Sequence, residues 1–120
     1  MNNAYKGLRT SNYKNYELIV VNDASKDDSL RIAMKYGARV LHSADFLFKY
    51  KHDFPFHDSI GPSGARNIGV KHARGEVIFF IDADVIPKKD SLNRIANFFT
   101  ENNGYAAAHI IACLFFYETQ

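Results

Sequence analysis

Two aspartates, Asp82 and Asp84, follow the apolar run 77–81 (Val-Ile-Phe-Phe-Ile) and precede Pro87. In extended backbone, residues i and i+2 point the same way, so both carboxylates are expected on one side of a crevice. Two carboxylates about 4 Å apart repel by roughly 4 kcal/mol at an effective dielectric of about 20. Such a pair calls for a cation, most simply a divalent metal with oxygen ligands. The plainer reading is a turn, with one aspartate starting it ahead of Pro87 and the other solvated.

Those carboxylates need a scaffold, and the apolar pattern supplies one. The run 77–81, bounded by Gly75 and Pro87, reads as a short strand buried on both faces in a parallel sheet. An earlier run, residues 17–21 (Glu-Leu-Ile-Val-Val), reads as another strand and ends in the polar turn Asn22-Asp23-Ala24-Ser25. Ser25 and Asp28 have capping-box spacing. They predict a helix over 26–36 that buries Leu30, Ala33 and Met34 and stops at Gly37. A short strand over 39–41 completes a βαβ unit.

A helix opening at Gly64 is expected over 65–73, with Ile68, Val70 and Ala73 inward and Arg66 and Asn67 in its first turn. Backbone N–H groups there attract anions. A last helix is expected over 92–101, capped by Asp90 or Ser91, with Leu92, Ile95, Ala96 and Phe99 on one face. Residues 105–117 read as one more strand. Residues 1–16 carry no strong pattern beyond a helix end and a loop. Residues 43–62 form a long stretch in which five aromatics alternate irregularly with charges, and which is expected to be a binding loop or partly disordered. Its His52, Asp53, His57 and Asp58 match no known metal-site spacing.

The totals describe one ordinary domain. Its 120 residues are 47% hydrophobic and 23% charged, with a formal net charge of +2. That balance gives no case for a nucleic acid or an anionic membrane as partner. One cysteine, Cys113, makes no internal disulfide and fits a reducing compartment. No secretory signal is visible, and the most apolar segment, 105–117, is too short to span a bilayer. The expectation is therefore a cytoplasmic protein with no transmembrane segment in this stretch, any membrane association being left to segments beyond it.

In order along the chain, ELIVVNDASKDDS, GPSGARNIGVKHARG and EVIFFIDADVIP resemble the nucleotide-sugar-binding half of the family 2 glycosyltransferases. The likeness covers roughly 13–104, and residues 105–120 match poorly. It implies an α/β, Rossmann-like GT-A fold, a mainly parallel sheet flanked by helices, here as a single partial domain over 1–120. By resemblance Asp23 accepts the imide N–H of a uracil ring, and Arg66, with Asn67 beside it, lies near the base and diphosphate. Asp82 binds the ribose, and Asp84 holds Mg²⁺ or Mn²⁺ on the diphosphate. The activity so implied is metal-assisted, inverting sugar transfer from a nucleotide-diphosphate donor, UDP-sugar favoured, to an acceptor hydroxyl on a glycan or other compound.

Two pieces of the family pattern are not matched. The opening VSVIIPxYN-type strand has no counterpart, and neither does the acceptor half that carries the general base. Glu118, the only acid among 105–120, lies in no recognisable motif, so the catalytic residue is unassigned. The expectation is a truncated piece of an enzyme that keeps its donor site. Two alternatives stand beside it. One is a non-catalytic nucleotide-sugar-binding fragment. The other is a haloacid-dehalogenase-like phosphatase, with Asp82 as nucleophile and Asp84 as general acid.

Overall fold

A computed structural model describes residues 2–47 and 59–102. The strand expected over 105–117 lies outside them, as do His52, Asp53, His57, Asp58, Cys113 and Glu118. The described elements are α1 (Asn2–Arg9), β1 (Ile19–Asn22), α2 (Ser29–Lys35), β2 (Arg39–His42), a 3-10 turn (Ser43–Phe46), α3 (Gly61–His72) and α4 (Ser91–Glu101).

β1 and β2 pair in parallel, Ile19 opposite Arg39 through Asn22 opposite His42, with α2 as the crossover. This is the expected βαβ unit. Period-two alternation along β1 builds two cores. Leu18 and Val20 pack with Ala4, Tyr5, Leu8, Ala33, Ile81 and Leu92. Ile19 and Val21 turn the other way, onto Ile60, Ala65 and Ile68. Helices α1, α2 and α4 thus cover one face and α3 the other. Burying each large aliphatic residue contributes about 1.5–3 kcal/mol. The result is the layered α/β arrangement, with its parallel pair flanked by helices, that the sequence led us to expect.

The segment 77–81 departs from expectation in one respect. Its residues alternate as in a strand: Ile78 packs toward the α3 core, and Phe79 and Ile81 toward the α1 core. Yet it carries a single bridge residue, Ile78, and among the described residues the sheet has two strands. Apolar alternation sets which way side chains point, whereas a strand also needs ladder partners.

Helix boundaries shift for local reasons. The chain after β1 turns with Ser25 N–H donating to Asn22 Oδ1 at 3.1 Å, in place of a Ser25–Asp28 capping box. Helix α2 then begins at Ser29, whose N–H donates to Asp27 Oδ1 at 3.0 Å. Hydrogen bonds from Ser29 hold the Asp27 carboxyl below the usual carboxylate range. Met34 and Val70, expected inward, are exposed, while Ala33 and Ile68 are buried as expected. Gly37 ends α2 in the left-handed region, at φ +78°.

α1 had no clear sequence signature, and it is the element that braces the acidic turn. Ala4, Tyr5 and Leu8 are buried, and the Tyr5 ring stacks on Tyr36 at 5.0 Å. Gly7 lies against the residue that closes the acidic segment: a Cβ there would meet Pro87 Cδ at 2.7 Å and the Pro87 carbonyl at 2.9 Å. Asn12 N–H donates to the Lys89 carbonyl at 2.9 Å, a second tie to the same region. Substitution G7A is therefore expected to destabilise the chain by about 1–3 kcal/mol, the usual cost of overpacking. Urea unfolding reads it; an unchanged midpoint contradicts the close packing of α1 on Pro87.

Candidate functional site

The site is assembled by α3. The sequence suggested a start near Gly64, but the helix begins at Gly61, with Pro62 in its first turn and Ile60 as N-cap. Ile60 has no capping side chain of its own. The cap comes from β1, where Asp23, 6% exposed, follows directly on the strand. Its Oδ1 accepts the Ile60 N–H at 3.0 Å, and its Oδ2 accepts the Gly61 N–H at 3.0 Å. The Ser43 hydroxyl donates to Oδ1 at 2.6 Å, and the Ser59 hydroxyl donates to Oδ2. An anionic acceptor at a helix N-terminus satisfies orphan N–H groups and complements the helix dipole.

Arg66, a turn further along α3, leans toward the other aspartate. Its Nη2 stands 3.6 Å from Asp82 Oδ1, and its guanidinium lies over the Phe80 ring, 6.0 Å from the centroid. Both charged side chains are substantially exposed, at 45% and 73%. An exposed pair at that distance adds about 0–1 kcal/mol to stability. The contact matters instead because it leaves a planar cation and a carboxylate together in water, open to a ligand.

Asp23 and Asp82 reach this side of the sheet by the same alternation. Asp23 continues the parity of Ile19 and Val21, and Asp82 that of Ile78, both of which face α3. Asn67 is exposed beside Arg66. Asp84 does not share the extended geometry. Val85 N–H donates to the Asp82 carbonyl at 3.1 Å, so 82–85 form a turn with Ala83 and Asp84 at its centre. The plainer sequence reading of that backbone holds, and the i, i+2 argument for parallel carboxylates does not apply. Both aspartates remain exposed.

Among the described residues no group of three or more His, Cys, Asp or Glu could hold a metal. Two exposed carboxylates fit a Mg²⁺-type ion that arrives with phosphate oxygens and keeps its waters, rather than an all-protein cage.

Four further residues shape this site. Ser43 had a signal: β1 and β2 pair through Asn22 and His42, so Ser43 is the next residue opposite Asp23. Ser59 and Phe80 had none. Ala24, next to Asp23, has φ +65°, a left-handed backbone in a non-glycine residue. Elsewhere, two cavities lie off this face. A groove of about 580 Å³ runs between Phe79 and α4, lined by Phe98 and Phe99 with Arg94. A pocket of about 410 Å³ holds Lys14, Arg39 and Arg74 around Glu17. Its cations are engaged: Lys14 Nζ and Arg39 Nη1 donate to the carbonyls of Arg9 and His72 at helix ends, and Arg74 pairs with Glu17.

The model of glycosyl transferase family 2 matches residues 2–115, nearly the whole chain. The chain belongs to that family, which sets aside the phosphatase alternative. It is 32% identical over 100 residues to an uncharacterized glycosyltransferase of Rickettsia conorii, covering 83% of this chain and 15% of the relative. It is 32% identical over 94 residues to a minor teichoic acid biosynthesis protein of Bacillus subtilis, covering 78% and 10%. It is also 32% identical over 88 residues to a poly(ribitol-phosphate) β-N-acetylglucosaminyltransferase of Staphylococcus aureus, covering 73% and 14%. The chain thus spans a small part of these curated relatives. No solved structure matches it. Among the described residues no helix is long and apolar enough to cross a membrane.

The left-handed Ala24 costs about 1–2 kcal/mol relative to glycine. A24G is expected to raise unfolding stability by about 1 kcal/mol, measured as an upward shift in the urea midpoint. A lower midpoint contradicts the backbone conformation next to Asp23.

Proposed function

We propose that this chain forms the donor-binding part of an inverting glycosyltransferase that uses a nucleoside-diphosphate sugar, with UDP-sugars favoured, and an acceptor hydroxyl. One observation carries the reading. A single helix, α3, is held at its start by Asp23 and presents Arg66 to Asp82, so three distant segments meet on one side of the sheet. Family membership and the sugar-transfer activity in the name of the Staphylococcus aureus relative support it.

In this reading the nucleotide is taken by Asp23, Arg66, Asn67 and Asp82. The exposed Arg66 guanidinium, with its fork of donors, suits diphosphate oxygens. Asp82 accepts from ribose hydroxyls. Asp23 lies toward the base, where an imide contact exchanges one of its four internal donors for the ligand's. Asp84 holds Mg²⁺ or Mn²⁺, which when bound neutralises charge on the leaving diphosphate. With two carboxylates on a turn, the cation is expected to bind weakly alone and tightly with the nucleotide. The base that deprotonates the acceptor is not among the residues assigned here.

Calorimetric titration with UDP, with and without Mn²⁺, tests the reading. Mn²⁺ is expected to strengthen UDP binding, and D84N to abolish that gain while leaving metal-free binding in place. R66A is expected to weaken binding about tenfold in either condition, the worth of a charge-assisted phosphate contact. A folded chain that binds no UDP in the presence of Mn²⁺ contradicts the proposal.

A further inference from the structure

We infer that Phe80 is a positioning residue for Arg66, its ring a platform that keeps the guanidinium beside Asp82 with its N–H donors open to a diphosphate. This role deepens the donor-site reading of the Arg66–Asp82 face and rests on it.

Phe80 stands between a core residue and a site residue. Side chains two apart in extended backbone share a face, so Ile78, Phe80 and Asp82 form one row toward α3. At one end Ile78 packs into the cluster of Ile60, Ala65 and Ile68. At the other end Asp82 is exposed and meets Arg66 at 3.6 Å. Phe80, in the middle, is 44% exposed and forgoes part of the burial that a phenyl ring gains in a core. Over its face lies Arg66, the guanidinium carbon 6.0 Å from the ring centroid.

The two contacts on Arg66 differ in what they consume. A long, half-exposed arginine samples several rotamers, and ordering it on a ligand costs entropy. The exposed pair with Asp82 restrains it weakly and occupies N–H donors. The ring quadrupole attracts the cation without taking any donor, so the guanidinium fork stays available to phosphate oxygens. Both contacts come from one short segment, two residues apart, and Ile78 anchors that segment in the core under α3. Part of the ordering of Arg66 is therefore complete before the nucleotide arrives.

Replacements at position 80 separate the ring from simple apolar packing. F80L and F80M keep a large apolar side chain without the π face, and F80Y keeps the ring. Calorimetric titration with UDP and Mn²⁺ reads each of them, together with F80L on an R66A background. F80L and F80M are expected to weaken UDP by about two- to fivefold, the range for an exposed cation–π contact. F80Y is expected to bind as the wild-type chain does. On the R66A background F80L costs no further affinity, because it acts through Arg66. Unchanged affinity in both F80L and F80M overturns the role. So does a loss that F80Y shares, or one that persists in full without Arg66. A wild-type chain that binds no UDP with Mn²⁺ overturns the donor-site reading and this role with it, whereas UDP binding that F80L and F80M leave unchanged overturns this role alone.

Discussion

The structure depends on one buried carboxylate. Asp23 leaves the end of β1 on the side that faces α3, and its oxygens receive two backbone N–H groups and two hydroxyls from residues 20 to 38 positions away. A charge so placed needs its partners, since an unpaired buried carboxylate is costly. The partners need it as well, because α3 starts on a residue with no capping side chain of its own. The helix therefore begins where β1 ends, and sheet and helix share one fixed point. Everything proposed about ligand binding follows from where that point leaves Arg66.

Much of this was legible in the sequence. Continuous apolar runs marked β1 and the segment 77–81. Gly37 marked the end of α2, and the periodic Leu92, Ile95, Ala96 and Phe99 marked α4. The order of the three motif-bearing stretches was sufficient to suggest the family. What sequence hid was non-local. The start of α3 was misplaced because its cap lies 38 positions upstream of Gly61, beyond any capping-box pattern. α1 was visible only as a helix end, because eight residues are a short run from which to read a helix, and its packing rests on Gly7 meeting Pro87.

The acidic motif shows the same division. Its residue types and the side of the sheet could be read from alternation, and Asp82 does face α3. Its local geometry could not, because the 82–85 turn breaks the extended backbone on which the two-carboxylate argument relied. The physical consequence is a looser site. Two exposed aspartates on a turn do not make a metal cage. The groove along α4 lies away from this face and is lined by none of the proposed donor residues.

The most direct test of the central claim, that α3 joins the Asp23 end and the Asp82 end into one nucleotide site, is an amide chemical-shift map of the chain titrated with UDP and Mg²⁺. The account predicts that amides at 60–66 and 82–85 shift together along one saturation curve. Shifts confined to the groove at Arg94, Phe98 and Phe99, with both of those segments unmoved, contradict it.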